Sequence, residues 1–461
     1  MRRHLFLAML LIAAAAPNLR AADAVAPHDL YERIAPSLVV VRFTYDGELG
    51  RRELFTSGVV VGADGLVMVS GGFTPGQLPD TQMVDFKIII PGDEETEIAA
   101  EFQGRDERTG MSLVKATESH DWKALKFEDA ALQVGDPLYS IGLLPKDAGY
   151  KPYLTTASVS SLLRGPVPQV LVTGGGVGVV GSPVLNAQGQ AVGIVHAQRD
   201  GTPFMSDDPR DSLNPVLDPP LVFVPSRDFL VSISDPPTKE NPLKIPHLGV
   251  AQLSGLNKDV AEYFGLKKDQ PAVQVGDVIP EFPAAKAGLK SGDVIVKVNG
   301  ETLERGDVPD EAPMIMTRKI MRMKVGDTVT LSVLSGKDQP PHDVKVVLEE
   351  RPRQANKAKR FYAEDLGFAT REIVFEDTYA RRLKPDADGV MVALIKPNSS
   401  AQTGKLQTGD LITKLNQTEI EGLDQFKSQY ELFRKEHPRE AVVLEVLRGV
   451  NTQVVRIEPP Q

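Results

Sequence analysis

Few residues in this 461-residue chain could carry covalent or metal chemistry. Cysteine is absent, which excludes disulfide scaffolds, thiolate zinc sites and a cysteine nucleophile together. The seven histidines never pair at metal-ligand spacing, so no metal and no other cofactor is expected; only a carboxylate calcium site stays open. What remains is hydroxyl chemistry. Ser182 ends the loop Gly178-Val179-Val180-Gly181-Ser182, ahead of Pro183, and His196 follows the apolar run Ala191–Val195. A serine becomes a nucleophile only within hydrogen-bond reach of a base. His196 reads as a packed or solvent-facing strand residue. His120, after Glu118 and Ser119, reads as a surface loop residue.

The elements that must position these residues are short strands. Hydrophobic residues make up 41% and charged residues 25%, enough for sizeable cores, and the length suggests about three domains. Aromatics are only 6%, against 39 Gly and 35 Pro, which favours turns and strands over a helical bundle. The net charge of −10, with no long basic run, argues against nucleic acid as a partner. Arg2-Arg3, the apolar run Leu5 to Ala16 and Ala22-Asp23-Ala24 fit an export signal, too short to span a bilayer of about 30 Å. No later segment is apolar enough to span, so an exported protein of the periplasm or exterior is expected. Gly58–Val61, the turn Ala63-Asp64-Gly65 and Leu66–Val69 predict a hairpin, and further short strands up to Val195 predict a barrel or sandwich. Arg199 to Pro220 predicts a long surface loop, and the basic stretch Arg351 to Arg360 a solvated linker.

The last two hundred or so residues contain a repeat. Leu289-Lys290-Ser291-Gly292-Asp293-Val294-Ile295 matches Leu406-Gln407-Thr408-Gly409-Asp410-Leu411-Ile412, and Asn299 matches Asn416. Upstream, Leu248-Gly249-Val250 matches Leu366-Gly367-Phe368. A domain-length period marks duplication of a folded unit rather than a solenoid.

The repeated unit resembles a PDZ domain, in the form appended to envelope serine proteases. The resemblance implies two peptide-binding loops, His247-Leu248-Gly249-Val250 and Asp365-Leu366-Gly367-Phe368, whose backbone N–H groups would meet a peptide's terminal carboxylate. It also implies groove helices near Met314 to Met323 and Leu423 to Phe433. The methionines of the former suit either adaptable binding or core packing.

With these repeats behind it, the leading domain resembles the trypsin-like domain of the HtrA/Deg-type serine proteases. Ser57–Val61 with Asp64-Gly65, Asp106–Thr109 with Leu113–Lys115, Gly178–Val184 and Val222–Pro225 stand in that family's order. The implied fold is a mainly β trypsin-like double barrel followed by two PDZ domains. The implied boundaries are 1–24 for the signal peptide, 28–235 for the protease-like domain, and 243–352 and 360–461 for the PDZ domains.

Carried over one residue at a time, the family's catalytic positions fall on Gly72 for His, Gly110 for Asp and Val180 for Ser. Glycine and valine supply neither nucleophile nor base. The resulting expectation is no enzyme activity: a degenerate family member binding peptides or unfolded proteins with apolar C-termini. The alternative is an active serine endopeptidase with relocated residues, Ser182 and His196 being the fallback. A third reading is a subunit that modifies an active protease through mixed oligomers. Homo- or hetero-oligomers through the protease domain follow from the resemblance alone.

Overall fold

The computed structural model describes residues 24–71, 74, 78–92, 96–196, 222–267, 270–307, 311–337 and 339–460. The expected export signal, apart from Ala24, and the expected surface loop 199–220 lie outside these residues. Among the described residues, no helix is long and apolar enough to cross a membrane.

The first barrel is built from β1 (Leu38–Gly47), β2 (Gly50–Val60), β3 (Leu66–Ser70), β4 (Met83–Ile89), β5 (Glu97–Asp106) and β6 (Met111–Ala116), closed in the order β1-β2-β3-β6-β5-β4. β1 opens on the continuous apolar run Leu38–Val41, and the alternating direction of side chains along a strand sends it to two cores. Val39, Val41 and Phe43 fill the barrel, while Leu38 and Val40 join the seam between barrels. The second barrel contains β7 (Pro137–Leu143), β8 (Pro152–Leu163), β9 (Gln169–Thr173), β10 (Pro183–Asn186), β11 (Ala191–Ile194) and β12 (Val222–Pro225), closed as β10-β11-β12-β9-β8-β7. Ile141, Ile194, Val224 and Phe229 meet the first barrel's Val59 and Met68 in the shared seam. Full closure leaves neither barrel with an open edge. The expected mainly β double barrel is therefore the observed one.

The two repeats share a strand plan. The first has β13 (Pro246–His247), β14 (Leu253–Gly255), β15 (Val273–Val275), β16 (Val294–Val298), β17 (Glu301–Thr302), β18 (Thr328–Leu334), β19 (His342–Val347) and β20 (Glu349–Glu350). The second has β21 (Arg360–Ala363), β22 (Phe368–Arg371), β23 (Val390–Ile395), β24 (Leu411–Leu415), β25 (Thr418–Glu419), β26 (Val442–Arg448) and β27 (Asn451–Ile457). The main paths run β14-β15-β16-β18-β19 and β21-β22-β23-β24-β26-β27. The repeated sequence signals explain the likeness. Asp293 Oδ2 accepts from Lys290 N–H at 2.8 Å, and Asp410 Oδ2 from Gln407 N–H at 2.9 Å, each closing the turn before a strand. Asn299 and Asn416 sit at φ 52° and 48°, a region asparagine tolerates, and their side chains accept from Thr330 and Val443 N–H. The groove helices are Ala312–Met321 and Leu423–Glu436.

The first repeat docks on the second barrel through two carboxylates, Asp307, which accepts from Arg164 after β8, and the buried Asp228. Asp228, 3% exposed, accepts from Arg318 at 2.6 Å and from Arg322 at 2.7 Å, both near the end of the first groove helix. Arg318 Nε also donates to the Arg108 carbonyl at 3.1 Å. Burial lowers the Arg318 guanidinium from its ordinary value, against the pull of Asp228. The basic stretch 351–360 differs from the expected solvated linker. Arg351 and Lys357 bind Glu107, Arg353 binds Glu372, and Arg360 binds Glu48 at 2.8 Å. Its cations therefore fasten the connection to the first barrel and the second repeat.

Two consequences are measurable. Asp228→Ala leaves buried guanidinium without its counter-charge, a loss of about 3–5 kcal/mol by precedent, so calorimetry of the full chain is expected to show a lowered transition. An unchanged transition would contradict the docking role. In the second repeat, burial alone would raise the Asp377 carboxyl. Its hydrogen bonds to Arg371 and Val374 N–H, with the Arg371 and Arg381 charges, outweigh that and hold it below the usual range. Its contribution to stability is therefore complete above the unfolded value of about 4 and lost as pH falls through the depressed folded value. Acid titration of Arg371→Gln against the parent should show less loss of stability in that acid window; equal loss would contradict the assignment.

Candidate active site

The cleft forms where the barrels meet. Three pieces build it: the end of β3, the turn between β5 and β6, and the loop before β10 with the residues that follow β11. Ser70 is the last residue of β3 and is fully buried. Gly71 N–H donates to the Gly110 carbonyl at 2.8 Å, and a Cβ on Gly71 would lie 2.0 Å from that oxygen. Only glycine permits this approach. Gly110 itself has φ 77°, and a Cβ there would sit 3.6 Å from Cε1 and Nε2 of His196. The imidazole thus lies against the place from which a side chain at 110 would emerge.

His196 Nδ1 is 3.0 Å from Ser70 Oγ. This pairing was not anticipated: the two residues are 126 apart, and only barrel closure brings them together. The fallback pair is not formed. Ser182 is buried, its Oγ has no hydrogen-bond partner among the described residues, and a Cβ on Gly178 would come within 2.4 Å of that oxygen. Its backbone instead holds the loop, with Ser182 N–H donating to Val179 C=O and Ser182 C=O accepting from Val195 N–H. Ser140 Oγ accepts from Gly178 N–H at 3.0 Å and donates to the Pro183 carbonyl at 2.8 Å. Several loop N–H groups therefore already have internal acceptors. Val180 points partly to solvent, at 37% exposure, and Gly72 lies outside the described residues.

The cleft opens into a cavity of about 2230 Å³, whose wall includes Gly71, Gly110 and His196. The same wall includes Val250 and Leu253 from the first repeat's loop and β14, and Met314, Thr317 and Met321 from its groove helix. Met314 is exposed and lines the cavity, while Met316 is buried in the core.

The first expected peptide-binding loop borders this cavity. Gly249 has φ 82°, and a Cβ there would lie 2.3 Å from the Phe282 Cβ, so glycine is required. Leu248 is buried, and its carbonyl accepts from Ala284 N–H at 2.7 Å. Burial and the nearby Arg351 charge lower the His247 pKa, keeping the ring neutral at pH 7, where it packs edge-on against Phe282. In the second loop, Asp365 accepts from Tyr430 Oη at 2.6 Å and Arg434 Nε at 2.7 Å. Burial, with Asp365 beside it, pushes the Tyr430 phenol up, so it stays a donor. Leu366 and Phe368 are fully buried, and Gly367 N–H donates to Ala363 C=O at 2.8 Å.

Comparison with known proteins matches this architecture. Residues 56–194 match a trypsin-like peptidase domain model, and residues 258–346 a PDZ domain model. A probable periplasmic serine endoprotease DegP-like from Marinomonas sp. is 27% identical over 82% of this chain and 74% of its own length. A probable periplasmic serine protease do/HhoA-like from Haemophilus influenzae is 26% identical, over 79% and 71%. The solved HtrA-type protease AlgW with decapeptide has a TM-score of 0.52 at 18% identity, covering 72% of this chain and all of that one. The structure with tripeptide gives 0.52 at 17%, over 72% and 99%. These findings overturn the expectation of no enzyme activity drawn from Gly72, Gly110 and Val180. The relatives are named serine endoproteases, and nothing in the comparisons sets this chain apart as inactive. Residue-by-residue transfer could not see that the fold brings Ser70 to His196.

Gly110→Asp tests the packing of the cleft. The left-handed backbone there disfavours any side chain by about 1–2 kcal/mol, and the carboxylate would crowd the imidazole. Lower stability and altered His196 ring nitrogen shifts are expected; unchanged shifts would contradict the contact.

Proposed function

The chain is of the HtrA/Deg type, and on that premise we propose that it is an exported serine-endopeptidase-type enzyme acting on polypeptides in the chamber between its barrels and first repeat. The periplasmic names of its relatives support the location. One observation carries the reading: a single cavity is walled by His196 and by the first repeat's groove residues Leu253 and Met314. An extended segment added to β14 would present its chain to the barrel cleft without leaving the cavity. The loop His247-Leu248-Gly249-Val250 would receive a terminal carboxylate, and Val250 and Met314 would favour an apolar last residue.

In this reading neither Ser70 nor Ser182 attacks: His196 takes a proton from water as the water oxygen adds to the scissile carbonyl, and returns that proton to the amine as the C–N bond breaks. Ser70 is its positioning residue: with Nδ1–H donating to Ser70 Oγ, Nε2 is the ring nitrogen that receives the proton. Because Gly178, Gly181 and Ser182 N–H groups are bonded within the protein, the loop has to reorganise as the peptide enters before those donors could meet a carbonyl oxygen. The domain division 28–235, 243–352 and 360–461 belongs to the same proposal. Assembly through the barrel domain enters it from family resemblance alone.

The test is hydrolysis of unfolded casein by the purified full chain. His196→Ala is expected to abolish cleavage, Ser70→Ala to reduce kcat by about 10²-fold and shift the pH profile, and Ser182→Ala to leave it intact. Uncut casein with the parent protein, or cleavage unaffected by His196→Ala, would end the reading.

A further inference from the structure

The repeats share a strand plan but differ at one edge. In the first, β13 turns away from β14 and pairs with β20, Pro246 opposite Glu350 and His247 opposite Glu349. The Arg351 N–H donates to the Ile245 carbonyl at 2.8 Å, holding that segment on β20. Within the sheet, β14 has only β15 beside it, and its Leu253 lines the cavity. In the second repeat, β21 pairs antiparallel with β22, from Arg360 opposite Arg371 to Ala363 opposite Phe368. The β22 edge is therefore filled.

The filling strand has the features of a captured peptide. It runs antiparallel along the edge and sits beside the groove helix. Phe361 meets the helix residues Phe426 and Tyr430, with ring centroids at 6.1 and 5.6 Å. The Ala363 carbonyl takes the Gly367 N–H, a donor of the loop expected to meet a terminal carboxylate. Asp365 closes the end by bonding both Tyr430 and Arg434. The sequence differs at the same place. In the repeat register, Pro242 and Pro246 of the first unit stand where Arg360 and Glu364 stand in the second. Proline has no N–H to donate, so the first unit's leading segment has fewer ladder donors than its counterpart in the second.

We propose that β21 is a resident ligand of the second repeat: residues 360–363 occupy its peptide groove, and only the first repeat receives a peptide from outside. This rests on the reading above that a repeat captures peptide by strand addition. Under this proposal Asp365-Leu366-Gly367-Phe368 receives no external carboxylate while β21 is in place. The plug is also tethered: Arg360, its first residue, binds Glu48 at the turn between β1 and β2. Displacing β21 would break that link to the first barrel.

The experiment measures binding stoichiometry on the full chain with a fluorescein-labelled ten-residue peptide ending in valine and phenylalanine. The parent protein is expected to bind one peptide per chain, and Phe361→Ala to gain a second. Phe361 also packs on the core, so a second variant guards against misfolding. Tyr362→Cys with Ala369→Cys places two thiols on opposed residues of an otherwise cysteine-free chain. Its oxidised form is expected to bind one peptide, as the parent does. Two peptides on the parent, falling to one when that disulfide closes, would overturn the proposal, as would no gain in a folded Phe361→Ala protein. No binding by the parent but one peptide on Phe361→Ala would support the plug while removing the capture role of the first repeat.

Discussion

At the heart of the junction between the first repeat and the second barrel, one buried carboxylate holds two guanidinium groups. Asp228 sits just after the last strand of the second barrel and receives Arg318 and Arg322 from the first groove helix. Desolvating three charges is costly, so such a cluster contributes little net stability over an apolar contact; what it supplies is a defined geometry. Arg318 reaches further, to the carbonyl of Arg108 in the turn that carries Gly110. The orientation of the first repeat and the floor of the cleft are thus set by the same side chain.

Within the cleft, the decisive features are glycines and one imidazole. Gly71 lets the end of β3 approach the Gly110 carbonyl more closely than any side chain would allow, and Gly110 takes a left-handed backbone beside the imidazole. The space so defined is filled from the opposite barrel by His196, fastened to Ser70. The arrangement differs from a serine nucleophile in an exposed loop. Here the hydroxyl is buried and serves the ring, and the ring faces the cavity. In the proposed reading the role of the site turns on where the histidine points, which a position-by-position transfer of motif residues does not register.

Much of this was readable in the sequence because it is local. The Gly-Asp turns, the left-handed asparagines and the apolar run that opens β1 each specify their structure within a few residues. The glycine loop at Gly249 was legible for the same reason. What escaped is non-local. Ser70 and His196 meet only after two barrels close. The basic stretch 351–360 reads as solvated until Glu48, Glu107 and Glu372 are seen to converge on it. The two repeats match at their glycine loops, yet the equivalent segments just upstream join different sheets. Pro242 and Pro246 mark a difference there in the sequence, but its setting needed the strand pairing.

In the proposed reading, cleft and first groove act as one polypeptide site. Amide hydrogen exchange of the full chain, with and without saturating unfolded casein fragment, tests it directly. The account predicts added protection together in 67–71, 193–196, 253–255 and 312–321, with none in 366–371. Protection confined to one wall of the chamber, or appearing in the second repeat's loop, would contradict it.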